Sequence, residues 1–293
     1  VIHFPVSGVD TWLWLPPLAA FVVSFFSSMV GISGAFLLMP FQISVLGYAG
    51  PAASATNLVF NLFATPGGVW RYFREGRMVW PLARIIVLGT LPGVVLGFYL
   101  RVLLLPDVTH FKIFVGTVMV YLAWRLLHQQ GPKAQPATSP AGVGNGSVRT
   151  LRADARRTEF LLGESACGFS TPAMLLLAFV VGIIGGTYGI GGGAIMAPFC
   201  IAVFRLPVHA VAGAALAGTF VTSVVGVAVY SFLPLPGGGY AAPDWQLGSL
   251  FGLGGLAGMY LGAACQRHVP QQALKLGLGI LLAALGAAYL FGR

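Results

Sequence analysis

Val30-Gly31-Ile32-Ser33-Gly34-Ala35, followed by Pro40-Phe41, recurs as Tyr188-Gly189-Ile190-Gly191-Gly192-Gly193, followed by Pro198-Phe199. Both copies interrupt an apolar stretch. A glycine break repeated in two halves of a hydrophobic chain points to a membrane protein of inverted repeats, whose binding site lies where the breaks meet.

Working outward, the first break sits in an apolar run over residues 15–46, and further runs cover 52–72, 79–100 and 108–127. A polar stretch follows, and the order then repeats: a broken run over 172–204, then 210–233, 247–265 and 273–291. The correspondence extends beyond the breaks. Gly93, Gly97, Tyr99 and Leu100 match Gly254, Gly258, Tyr260 and Leu261 at constant spacing, and Lys112 and Gly116 match Lys275 and Gly279. Similarity of order and spacing along both halves is the mark of an internal repeat. The chain therefore divides into a first repeat over 12–127, a linker over 128–171 and a second repeat over 172–291. Residues 131–150 have the Gly, Pro and Ser content of a flexible linker, and 151–162 suggest a short charged helix.

The 293 residues are 57% hydrophobic and 8% charged, against about 25% charged in a soluble domain. A soluble protein can bury one long apolar helix, but not a series of them. The runs are rich in Leu, Ala and Gly and lack the alternation of a transmembrane barrel, so strands are not expected. The net charge of +9 does not imply nucleic acid, because the basic residues gather at span ends and in the linker. Cys167, Cys200 and Cys265 have neither zinc spacing nor a disulfide pattern. No cofactor or metal is called for, and no cleavable signal peptide is evident.

Length and charge set the expected topology. Residues 15–46, if helical throughout, would extend about 48 Å, too long for one crossing of a roughly 30 Å hydrocarbon layer and too short for two. A re-entrant hairpin turning at the glycines fits. Each half is then a broken hairpin plus three transmembrane helices, the fold is all-α and polytopic, and the two halves are inverted. With the loop after 72 inside, this arrangement puts Arg71, Arg74, Arg77, Arg84, Arg125, Lys133, Arg149, Arg152, Arg156, Arg157, Arg205, Arg267 and Lys275 inside, 13 in all. Only 3, Arg101, Lys112 and Arg293, fall outside. If each broken segment crosses once instead, Arg205, Arg267 and Lys275 move out and Arg293 moves in, giving 11 to 5. The hairpin arrangement obeys the positive-inside tendency better. Trp12, Trp14, Trp70, Trp80 and Trp245 fall at span ends, as an interfacial belt would.

The seven acidic residues all fall in loops, the linker or span ends. A carboxylate inside the membrane is the usual mark of a cation site or proton relay, so the pattern favours an anion. The short helices expected near Phe36 and Ala194 start with unpaired N–H groups and a positive dipole end. Two such starts facing each other can hold an oxyanion. The candidate substrate-binding residues are Gly31, Ser33 and Gly34 at the first break and Gly189, Gly191, Gly192 and Gly193 at the second. Asn57, Asn61 and Thr219 join them from the following spans. Asn57, Asn61 and Thr65 share one helix face, and Thr219 and Ser223 match Asn61 and Thr65. For these polar residues the competing role is hydrogen-bonded glue between helices. For Gly93, Gly97, Gly254 and Gly258 close helix packing is the favoured role. His209 reads as interfacial, and Cys200 as a small packing residue.

On the paired breaks Gly31-Ile32-Ser33-Gly34 and Gly189-Ile190-Gly191-Gly192-Gly193, each with its following proline (Pro40 or Pro198), and on the central polar linker, the chain resembles the TauE/SafE family of sulfite exporter-like permeases. The first copy departs from the richer pattern, with Ser33 and Ala35 where the second has Gly191 and Gly193. The resemblance implies transport of sulfite, sulfonates, thiosulfate or related carboxylate anions across the cytoplasmic (inner) membrane. The expected partners are a small anion and the lipid bilayer; glycine-rich faces also permit a homodimer. Alternating access of one half against the other is the expected mechanism. An anion channel of the same architecture is the first alternative. An intramembrane enzyme using Cys200 or His209 is the second, but no base stands beside a nucleophile. No catalytic residue is assigned, and no nucleotide-binding loop is present.

Overall fold

The computed structural model describes residues 1–29, 33–74, 76, 78–128, 149–162, 165–204, 206, 208–265 and 271–292. Residues 131–148, read above as flexible linker, and Gly31 lie outside the described residues, as does the side chain of His209.

The chain opens with a hairpin, β1 (Ile2–Phe4) against β2 (Val9–Thr11). The first half continues through α1 (Leu15–Met29), α2 (Ala35–Ser44), α3 (Pro51–Ala64), α4 (Pro66–Arg74), α5 (Trp80–Tyr99) and α6 (Val108–His128). Strands β3 (Arg149–Ala153), β4 (Arg157–Leu162) and β5 (Ser165–Ser170) form an antiparallel sheet. The second half is α7 (Thr171–Tyr188), α8 (Gly193–Phe204), α9 (Val208–Phe232), α10 (Trp245–Cys265) and α11 (Gln271–Phe291).

Among the described residues, five helical segments are long and apolar enough to cross a membrane: Trp80–Leu104, Val108–His128, Thr171–Tyr188, Val211–Phe232 and Gln272–Phe291. Their outward faces carry exposed Leu88, Leu96, Leu176 and Ile280, and apolar surface on this scale needs lipid or a partner to cover it. The five tryptophans named above are all at least half exposed at helix ends.

Three expectations are corrected. The run over 52–72 is two helices rather than one, because Pro66 has no N–H to continue the hydrogen-bond ladder of α3. Residues 151–162 are strands, not a charged helix. Thr158 and Phe160 are buried while Arg157 is exposed and Glu159 half-buried, a period of two that fits a sheet face. Asp244 is a buried carboxylate at the start of α10. It accepts from Leu247 N–H at 2.9 Å as a helix cap and from Ser7 Oγ at 2.7 Å, tying down the N-terminal hairpin. Arg101, counted above among the outside residues, is in addition fully buried, on a π-helical turn, Leu100–Leu104, that extends α5.

Both broken segments fold back on themselves. Cys200 on α8 lies 3.7 Å from Met174 near the start of α7, and Phe204 meets Phe169 just ahead of α7. In the first half, Phe41 on α2 packs edge-on against Phe251 of α10. Gly254, three residues further along α10, lies against Pro17 near the start of α1.

Packing crosses between the halves. Gly89, Gly93 and Gly97 of α5 lie against the backbone of α7. Gly254, Gly258 and Gly262 of α10 lie against the backbone of α1 in the same way. Small residues at four-residue spacing allow two helix backbones to approach closely. In the same manner α5 packs on α9 and α10 on α3, while α3 meets α9 and α6 meets α11. Exchanging the halves maps this set of pairings onto itself.

Candidate functional site

The two breaks meet at the centre of the molecule. Tyr188, the last residue of α7, stacks on Phe36 of α2 with centroids 5.0 Å apart, and its hydroxyl donates to Phe36 O at 2.8 Å. Asn61 of α3 bridges the breaks. Its Nδ2 donates to Ile190 O at 2.9 Å, and its Oδ1 accepts from Ser33 Oγ at 3.3 Å. One side chain thus holds a residue of each glycine motif.

The second break turns because Gly189 and Gly191 take left-handed backbone angles, φ +82° and +73°, which only glycine adopts without strain. Gly189 also lies directly against the backbone of Ser54, and Gly193 against Ala215 and Thr219 of α9. Among the described residues of the first break, Gly34 lies against Ser24.

The helix starts are capped from within. Ala35 N–H donates to Ser33 Oγ at 3.3 Å, and Gly192 N–H to Thr222 Oγ1 at 3.1 Å. Ala194 N–H reaches Gly191 O at 3.3 Å. Asn57 donates to Ala35 O at 2.9 Å and accepts from Gln42 Nε2 at 3.2 Å. Thr219 Oγ1 returns its hydrogen to Ala215 O at 2.9 Å. Ser33, Gly34 and residues 189–193 are all buried, so this is a closed conformation in which Asn57, Asn61 and the amides are paired with protein.

Three buried polar atoms have no partner among the described residues: Ser24 Oγ, Ser223 Oγ and Gln42 Oε1. Ser24 Oγ faces Gly34, and Ser223 Oγ lies 2.9 Å from where a side chain on Gly191 would begin. An orphaned hydroxyl stands at each break, where leaving a polar group unpaired is costly. Both can donate to an oxyanion.

Of the candidates read from sequence, the structure gathers Ser33, Gly34, Asn57, Asn61, Gly189, Gly191, Gly192, Gly193 and Thr219 around one point. Thr65 and Thr187 are spent on carbonyls, Asn61 O and Gly97 O. Sequence reasoning missed Thr222, Tyr188, Gln42 and Ser54. Thr222 had a readable signal, since it lies one turn from Thr219 on the same helix; the others join elements far apart in sequence. An apolar cavity of about 430 Å³ between α4 and α9, lined by Pro66, Trp70, Phe73, Trp80 and Phe220, holds no polar group suited to an anion.

A family model described as Sulfite exporter TauE/SafE matches residues 17–289. The probable membrane transporter protein YunE of Bacillus subtilis (strain 168) is 23% identical over 271 residues, covering 90% of this chain and 92% of that relative. No solved structure matches.

Proposed function

The chain belongs to the sulfite exporter TauE/SafE family, and on that premise we propose that it is a secondary transporter for a small, sulfur-containing anion. The observation that carries this reading is the Asn61 bridge between two helix starts, with an unpaired hydroxyl at each. The positive ends of α2 and α8 supply partial charge. The hydroxyls of Ser24 and Ser223 supply donors. The buried carboxylate of Asp244 is already engaged by Ser7 and Leu247, which leaves no free acidic group there to prefer a cation.

Alternating access follows from the bonds that close the site. Release of Asn61 from Ile190 O together with release of Tyr188 from Phe36 frees one break from the other, and the Asn61 amide then faces the substrate. The fold-back of α2 and α8 supports two re-entrant hairpins, and the exchange symmetry of the helix pairings supports inverted halves. In this topology the linker sheet faces the cytoplasm and the protein resides in the inner membrane.

The test is flux in proteoliposomes with labelled sulfite, thiosulfate, methanesulfonate and acetate. Saturable uptake of a sulfur anion, lost in Asn61→Ala and Gly192→Leu, supports the reading. Wild-type protein that moves none of the four overturns it.

A further inference from the structure

Arg101 is the largest fully buried side chain among the described residues, and the mechanism above makes no use of it. Its partners are all neutral. Nη2 donates to Ala49 O at 2.6 Å, Nη1 to Leu105 O, and Nε to Ser54 Oγ at 3.4 Å; the guanidinium also lies 3.7 Å from the centroid of the Phe111 ring. Among the described residues no carboxylate pairs with it; Asp107, near in sequence, faces His110. A buried charge without an opposite charge is normally strongly disfavoured, and an ionisable group at membrane depth is a functional candidate by default.

Its position joins it to the second break. Gly97, one turn earlier on α5, lies 2.7 Å from Thr187 N at the position its side chain would take. Ser54 accepts from Arg101 and donates to Thr187 O at 3.2 Å, and the Ser54 backbone is the surface against which Gly189 packs. The charge is thus two hydrogen bonds from the glycine turn. Guanidinium has five N–H donors, and the three bonds above leave one on each terminal nitrogen, able to donate to the oxygens of an anion. The charge is also one-sided: the repeat spacing that aligns Gly97 with Gly258 and Leu100 with Leu261 puts Gly262 opposite Arg101, and Gly262 packs against Ser28 and Phe25.

We infer that Arg101 is the counter-charge of the transported oxyanion, presented beside the second break and linked to it through Ser54. The inference rests on the anion-transport reading and adds to it a full positive charge that the helix dipoles do not provide.

The experiment compares wild type, Arg101→Gln, Arg101→Lys and Ser54→Ala in proteoliposomes with sulfite, thiosulfate, methanesulfonate and acetate. Alongside, phenylglyoxal modification of Arg101 in wild-type protein is followed by peptide mapping, with and without the anion that is transported. For a charge-assisted contact the expected rise in KM for Arg101→Gln is about tenfold to a hundredfold. Lys should recover part of it, and Ser54→Ala should raise KM less. The transported anion should slow modification of Arg101. If wild type transports but Arg101→Gln keeps its KM, the inference fails. It fails equally if that variant does not fold and the anion leaves modification of wild-type Arg101 unchanged. A wild type that moves none of the anions defeats the transport reading itself, and this inference with it.

Discussion

Gly189→Ala tests whether the second break is fixed by tertiary contact as well as by backbone angle. At φ +82° a Cβ costs about 1–2 kcal/mol in the left-handed region. In addition, the new methyl would lie 2.6 Å from Ser54 Cα, so α3 or α7 must retreat by roughly 1 Å to reach ordinary carbon contact. Overpacking of that kind costs about 1–3 kcal/mol, giving about 2–5 kcal/mol together. Gly238→Ala is the matched control. Its φ is +86°, and nothing lies within 4 Å of the added Cβ, so it carries only the backbone term of about 1–2 kcal/mol. The assay is thermal unfolding of detergent-purified protein by intrinsic fluorescence, with both variants measured beside wild type. Gly189→Ala should melt clearly below Gly238→Ala. If the two melt together, the approach of Gly189 to Ser54 contributes nothing, and the account of a sterically locked turn is wrong.

Three further outcomes are expected. Asn61→Ala leaves Ile190 O without its side-chain donor and should lower stability by about 1–3 kcal/mol; Asn61→Asp, which adds a negative charge between the breaks, should abolish anion uptake more completely than Ala does. In a cysteine-free background carrying Gly237→Cys or Arg156→Cys, a membrane-impermeant maleimide added to intact cells should label position 237 but not 156; the reverse pattern contradicts the proposed topology. Phe160→Ala removes a fully buried ring from the linker sheet and should cost about 3–5 kcal/mol, read as faster proteolysis within 149–170 while uptake of the anion that wild type transports is retained.

The features legible from sequence were those with a local cause. Glycine clusters inside apolar runs located the breaks, because only a chain freed of side chains turns there and starts a new helix within a few residues. Apolar composition and run length identified the spanning helices, and the four-residue spacing of Gly93, Gly97, Gly254 and Gly258 marked packing faces. The split at Thr65 was also locally encoded, in Pro66, but the uninterrupted hydropathy of 52–72 concealed it. The linker strands were missed for a related reason: the period of two at Thr158 and Phe160 is short and lies among charges.

The remaining features required contacts across the chain. Asn61 reaches Ile190, 129 residues away, and whether an asparagine amide contacts a backbone, a neighbouring helix or solvent is decided by what the fold brings beside it. The positive-inside count assigned Arg101 a side of the membrane but not its surroundings; its burial depends on Ala49, Ser54, Leu105 and Phe111 converging on one guanidinium. The amino-acid order alone therefore determined that this is a membrane-embedded helical protein with two interrupted segments. Three-dimensional packing decided that those segments fold back, meet through Asn61 and Tyr188 and lie beside the buried Arg101, because hydrogen bonds and desolvation depend on neighbours in space.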